Sequence, residues 1–205
     1  MLRNGKKYAK NIYINATEDE EVEESDNELI KVIDNNIYFY CDVSSKSALK
    51  LNTTLKQLEI DLLTLSIKYN SDPYPINLHI NSEGGEIYAA LSIVDTIINS
   101  RVKVISIIEG IACSAATLIS VVCHNRIIYQ NAQMMIHQLS CQGLWGKMNE
   151  LEDEMKNMKS DMNAIKQIYN NHTKINFEEL PKILKKDINW SSKKCKKYGL
   201  VDEIK

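Results

Sequence analysis

Three short stretches hold residue types that could do chemistry together: the pair Gly84-Gly85, the serine of Ile111-Ala112-Cys113-Ser114, and the histidine of Met135-Ile136-His137. Two adjacent glycines free the backbone for positive φ and remove side chains, so a ligand can approach the main chain and meet unpaired N–H groups. Ser114 stands at or just before the start of an apolar helix. There the macrodipole and the open N–H groups favour negative charge, which suits both an alkoxide and the oxyanion it would create. A nucleophilic hydroxyl also needs a base within hydrogen-bond reach, and His137 is one of four histidines. Each residue has an ordinary reading too. A lone serine before an apolar helix is commonly a cap. His79, His124 and His172 read as structural or exposed, Cys113 as packed, and Trp145 and Trp190 as packing residues.

The elements that must position these residues follow from periodicity. Residues 76–81 alternate as a strand that breaks at the glycine pair, and Ile87, Ala90, Leu91, Val94, Ile97 and Ile98 then recur at helical spacing. A second strand over residues 104–108 runs through Glu109-Gly110 to Ser114. Residues 126–129 and 133–137 read as paired strands around a polar turn at Gln130-Asn131-Ala132, with His137 closing the second. Upstream, the β-branched and aromatic residues 37–41 form the first core strand. Ser44 or Ser45 caps a helix to about Tyr69, with Ala48, Leu51, Leu55, Leu58, Leu62 and Leu65 on one face. Asp72-Pro73-Tyr74-Pro75 stops that helix. Strand and helix in short-linked alternation predict an α/β fold.

Beyond His137, residues 138–143 read as a polar loop or an edge strand. The helix predicted over residues 147–170 places Met148, Leu151, Met155, Met158, Met162, Ile165 and Tyr169 on a strict heptad seam. Such a seam fits a partner helix or docking on its own domain. Asn176 caps a short helix through Glu179. A last helix over 192–197 ends at Gly199, before a closing strand at 200–202.

At 205 residues the chain is sized for one well-buried domain, and 25 basic against 27 acidic residues give a net charge of −2, which argues against a general nucleic-acid binder. Residues 18–28 hold eight carboxylates, whereas residues 182–197 hold seven lysines. Residues 1–30 carry that acidic run without a clear period and are expected to be a mobile segment ahead of a domain spanning 31–205. Cys41, Cys113, Cys123, Cys141 and Cys195 are odd in number and lack CxxC spacing, so neither a disulfide framework nor a zinc site is predicted. The longest charge-free apolar window, residues 110–123, is 14 residues, too short to span a bilayer. No secretory h-region is visible. A cytoplasmic location is expected, with an organellar matrix as the variant allowed by the basic start.

Taken in order, Asn81-Ser82-Glu83-Gly84-Gly85, Gly110-Ile111-Ala112-Cys113-Ser114-Ala115, Met135-Ile136-His137-Gln138 and Tyr198-Gly199-Leu200-Val201-Asp202 resemble the signature segments of the ClpP family, the proteolytic subunit of the caseinolytic serine protease. The resemblance covers roughly residues 37–204. It implies an α/β spiral of the crotonase type, built from ββα units, with a protruding handle helix at the heptad seam. It also implies a Ser-His-Asp triad, with Ser114 as nucleophile, His137 as base and Asp187 as third member, counted back from the Tyr198-Gly199 landmark. The N–H groups of Gly85 and Ala115 match the oxyanion hole. Gly84, Gly85, Leu139, Ser140 and Cys141 would flank a substrate strand added by β-augmentation. No metal or cofactor is implied. The implied partners are polypeptide substrates, unfolded or short, a homo-oligomeric assembly of two stacked heptameric rings, and an AAA+ unfoldase; no nucleic acid or membrane is implied.

The chain departs from the family pattern with Glu83 for proline, Ala115-Ala116 for Met-Gly, and Leu139 for proline. The segment 1–30 does not match the family's axial segment, which prompts two other readings: a phage or viral assembly protease without an ATPase partner, or a catalytically silent ring subunit. A crotonase-type acyl-CoA enzyme shares the fold but would not need the serine–histidine pair. The order Ser, His, Asp and the lack of a Gly-x-Ser-x-Gly elbow exclude the α/β-hydrolase arrangement.

Overall fold

The computed structural model describes residues 30–141, 143 and 145–205; the acidic segment expected over residues 1–30 lies, but for Ile30, outside them. The first element is a hairpin. Strands β1 (Ile30–Ile33) and β2 (Asn36–Phe39) pair antiparallel around a turn with Asp34 at φ 53°. Only β2 is anticipated in the sequence, because β1 buries just Ile30 and so carries little hydrophobic period.

Helix α1 (Ser45–Tyr69) begins where Ser44 and Ser47 satisfy each other: the Ser47 N–H donates to Ser44 Oγ at 3.1 Å and the Ser44 N–H to Ser47 Oγ at 2.9 Å. Its buried face holds Ala48, Leu51, Leu55 and Leu62, the leucines each worth ~1.5–3 kcal/mol of burial. It also holds Glu59, whose carboxylate accepts from Arg101 Nε at 2.7 Å. Past Leu62 no residue of α1 is buried, so Leu65 does not complete the face expected of it.

The sheet continues with β3 (Ile76–Ser82), β4 (Val104–Cys113), β5 (Asn125–Ile128), β6 (Gln133–Met135), β7 (Trp190–Ser191) and β8 (Glu203–Ile204). Its order is β1-β2-β3-β4-β5-β8, with every pair from β2 to β8 parallel. Helices α1, α2 (Ile87–Ile98) and α3 (Ala115–Val121) cover the face that presents Ile76, Leu78, Ile80, Val104 and Ile108. The link between α3 and the sheet is partly polar, through Ser106 Oγ and Ser120 Oγ at 3.1 Å.

The pairing expected between residues 126–129 and 133–137 does not form. β5 lies along Ile105–Ile108 of β4 and β6 along Ile111–Cys113 of the same strand, both parallel to it. A ten-residue β4 is long enough to hold two partners end to end, so the turn between them carries the chain along β4 instead of reversing it. The change of partner coincides with a bend. Gly110 adopts φ 77°, and the Asn81 carboxamide fills the bend, its Oδ1 accepting from the Ile111 N–H at 3.2 Å.

Helix α4 (Met148–His172) is docked at one end only. Ile165 and Tyr169 are buried, while Met148 is 73% and Met155 48% exposed. Asn176 caps a turn, accepting from the Glu178 N–H at 2.9 Å; the helix itself, α5 (Leu180–Ile183), starts one turn later and holds Pro181 in its first turn, where a missing N–H costs nothing. α6 (Ser192–Lys197) ends before Gly199 at φ 71°, as expected. The closing strand is β8, not residues 200–202. Leu200 and Val201 are buried, and Asp202 grips Arg126 with both carboxylate oxygens at 2.9 and 2.7 Å. Trp190 is buried, whereas Trp145, expected to pack, is 91% exposed.

Candidate active site

The site lies beyond the carboxyl ends of β3, β4 and β6, where a parallel sheet leaves its loops on one side. The loop after β3 supplies the glycine pair. A parallel bridge joins Val43 to Gly85, with Val43 N–H donating to Gly84 O and Glu86 N–H to Val43 O, both at 2.7 Å. That bridge leaves the Gly85 N–H unused. Gly84, at φ 101°, lies against the Ser114 turn so closely that a β-carbon there would meet the Cys113 carbonyl oxygen at 2.6 Å and Ser114 Cβ at 2.9 Å.

β4 delivers Ser114 directly before α3. Its φ of 52° and ψ of −121° fall outside the favoured basins for an L residue, at a cost of about 1–3 kcal/mol. The Ser114 N–H donates to Met135 O at 2.8 Å, which ties the turn to β6. As the residue before a helix, Ser114 has the position of a cap, but its side chain makes no capping bond. Its Oγ instead lies 2.8 Å from His137 Nε2.

His137 sits two residues past the end of β6, outside the strand expected to contain it, with its side chain 22% exposed. The following residue is anchored, since the Gln138 N–H donates to Leu184 O at 2.7 Å, just past α5. The same segment then carries Asp187, whose Oδ1 lies 2.8 Å from His137 Nδ1 while its side chain remains 77% exposed. A carboxylate only accepts, so Nδ1 carries the proton and Nε2 presents its lone pair to the Ser114 hydroxyl. This arrangement can take the hydroxyl proton and hold the resulting imidazolium. Cys113, the neighbouring nucleophile by type, cannot compete. Burial, with the adjacent Glu83 carboxylate adding to it, pushes its thiol up to about 11.

A cleft of about 60 Å³ opens beside the Ser114 hydroxyl, lined among others by Gly85, Ala115, Leu139 and Ser140 and by the apolar or aromatic side chains of Ile87, Leu118, Ile165 and Tyr169. Of the expected site residues, Ser114, His137, Asp187, Gly85, Ala115, Leu139 and Ser140 thus come together. Gly84 backs the Ser114 turn instead of lining the cleft, and Cys141 is exposed and outside the lining. Residues 138–141 form a loop, which settles the choice left open between loop and edge strand. Two residues at the site go unrecognised in the sequence, Thr117 and Tyr169. Tyr169 is read in the sequence only as the last residue of the heptad seam and Thr117 is not singled out; only a hydroxyl three residues after Ser114 hints at a second role. Among the described residues no group of three His, Cys, Asp or Glu side chains could hold a metal, and no helix is long and apolar enough to cross a membrane.

The Clp protease family model matches residues 20–205. The chain belongs to the Clp protease family. An ATP-dependent Clp protease proteolytic subunit from Deinococcus radiodurans is 32% identical over 131 residues, a match that spans 63% of this chain and 64% of that protein. Among solved structures, a ClpP1 point mutant from Listeria monocytogenes superimposes with a TM-score of 0.69 at 27% identity, covering 81% of this chain and 88% of that one. The α/β architecture described above is therefore the ClpP-like fold, and the helix that projects from this Clp-family domain is α4.

Proposed function

We propose that this chain is a ClpP-like serine endopeptidase that cuts unfolded or short polypeptides inside an oligomeric ring. The observation that carries this reading is the unbroken run from Asp187 Oδ1 through the His137 ring to Ser114 Oγ, 2.8 Å at each contact, beside a cleft flanked by Gly85 and Ala115. In the mechanism it supports, His137 Nε2 takes the Ser114 proton as Oγ bonds to the scissile carbonyl carbon. The carbonyl oxygen gains the charge, and the N–H groups of Gly85 and Ala115 hold it. The C–N bond then breaks, with His137 giving its proton to the leaving amine. Water, deprotonated by the same nitrogen, releases the acyl group and restores Ser114. Asp187 keeps the ring in the required tautomer and stabilises its cation. The substrate strand would lie between the Gly84-Gly85 loop and Leu139–Ser140, held by backbone hydrogen bonds.

Assembly is supported by α4. Its outer half carries Met148, Leu151, Met155 and Met158 without a buried residue among them, an apolar seam that a second copy would cover. Two stacked heptamers give such a helix its partner. The ATP-dependent naming of the Deinococcus relative supports an AAA+ unfoldase as the source of substrate chains.

Labelling with a fluorophosphonate, combined with native mass measurement, tests both parts. Labelled rings whose labelling disappears in Ser114→Ala are expected. Rings that resist labelling would leave a silent scaffold, and a labelled monomer would remove the ring. Met155→Glu is expected to lower the native mass at the seam without unfolding the protomer.

A further inference from the structure

Tyr169 is 1% exposed and lies on the docked end of α4, where it helps line the cleft beside Ser114 and Ala115. Its hydroxyl is 2.6 Å from Thr117 Oγ1, and Thr117 Oγ1 in turn donates to the Ser114 carbonyl oxygen at 2.6 Å. The Thr117 N–H donates to that same carbonyl at 3.0 Å. A threonine hydroxyl has one proton. Because Thr117 gives it to the carbonyl, it accepts from Tyr169, and the chain of donation runs from α4 to the backbone of the Ser114 turn. Burial raises the phenol well above its ordinary value, so Tyr169 stays a neutral donor.

The Ser114 carbonyl belongs to the peptide unit whose other end is the Ala115 N–H. In a trans peptide these two groups point in opposite directions, and no cis bond occurs among the described residues. The carbonyl is anchored on Thr117, which is not among the residues lining the cleft, whereas Ala115 is, so fixing the carbonyl there aims the opposite N–H toward the cleft. Ser114 sits outside the favoured backbone basins, so this plane is held against local strain, by the Thr117 N–H and by the two hydroxyls together. We propose that Tyr169 and Thr117 are positioning residues that lock the Ser114–Ala115 peptide plane, holding the Ala115 N–H toward the point where the oxyanion develops.

This rests on the proposed peptidase function, and the test separates the two. Tyr169→Phe removes one hydroxyl and keeps the cleft lining; Thr117→Val removes the other at equal volume; Thr117→Ser keeps it. With the full chain in its assembly and a fluorogenic peptide, Tyr169→Phe and Thr117→Val are each expected to lower kcat about tenfold, with KM within about twofold. Binding of a peptide boronate, which mimics the tetrahedral state, should weaken by the same factor. The double variant should be no worse than Thr117→Val alone, and Thr117→Ser should match the parent. Unchanged kcat, a loss confined to KM, or equal losses in Thr117→Ser and Thr117→Val would each overturn the proposal. Failure of the parent to react with fluorophosphonate would sink the peptidase reading instead. A crystal structure of the double variant reads the plane directly in either case: a turned Ser114 carbonyl supports the lock, and an unmoved one refutes it.

Discussion

Two histidines of this domain each hold a carboxylate 2.8 Å from Nδ1, His137 with Asp187 and His79 with Glu109. They differ at the other nitrogen. His137 Nε2 meets the Ser114 hydroxyl, which donates to it, whereas His79 Nε2 meets the Asn36 carboxamide oxygen at 3.3 Å. With protein partners at both nitrogens His79 is a strut between Glu109 and Asn36 and leaves neither nitrogen for a substrate. Its surroundings agree with that role. His79 stacks on Tyr38 of β2 with centroids 4.4 Å apart, and Tyr40, one residue past the end of β2, donates to Glu109 of β4, so the group ties β2, β3 and β4 together on the face away from the helices. His137, by contrast, borders a cleft and a strained serine. A histidine–carboxylate pair is thus no signature of catalysis by itself; what the second nitrogen faces decides.

The largest effects should fall on one side of this comparison. Ser114→Ala and His137→Ala are each expected to reduce peptide hydrolysis by about 10⁴–10⁶, with the double variant no worse than either. His79→Phe, which keeps the stack on Tyr38, should leave kcat within about twofold. A large loss in His79→Phe would erase the distinction. Asp187→Asn is expected to cost less, roughly 10²–10³ in kcat, because a side chain 77% exposed leaves water able to replace part of its hydrogen bonding to Nδ1.

The smallest effect sharpens the comparison from the other side. Burial raises the Glu109 carboxyl, but hydrogen bonds from Tyr40, His79 and Tyr129 outweigh it and hold the group below its ordinary value of 4.5. A depressed carboxyl contributes stability that is fully present above the unfolded value and is lost as pH falls through the lower folded value. Glu109→Gln should therefore lower stability by about 1–2 kcal/mol at neutral pH, leave hydrolysis intact, and converge on the parent melting temperature on acidification below 4.5. A gap that persists in acid would show that the carboxylate charge is not what the strut uses.

Much of the site was legible because its residues end regular elements. Periodicity locates the strand before Gly84-Gly85, the strand running to Ser114 and the apolar helix after it, and the pair Ser44-Ser45 marks the start of α1, with the structure choosing Ser44 as the cap. Asp187 was reached only through family resemblance, since an exposed carboxylate among lysines has no period and its contact with His137 spans 50 residues. Strand partners were misread for a related reason. Whether β5 and β6 pair with each other or with β4 depends on the length of β4, and its extension through Gly110 interrupts the apolar run. β7 and β8, at two residues each, are too short to show alternation. Trp145 was read as packed from residue type alone, which says nothing about where a loop places it. Thr117 and Tyr169 were masked because a buried hydroxyl on a helix face carries the same spacing as any core residue.

The bend in β4 carries a constraint of its own. A β-carbon at position 110 would sit 2.8 Å from Asn81 Oδ1, so a residue larger than glycine there must displace the carboxamide that satisfies the Ile111 N–H, besides taking on the strain of φ 77°. The two positions form an interlock: neither can drift alone without either a steric collision or an orphaned amide. Sequences diverging from this one should therefore change the two together or keep both, which turns the curvature of one strand into a covariation that can be counted.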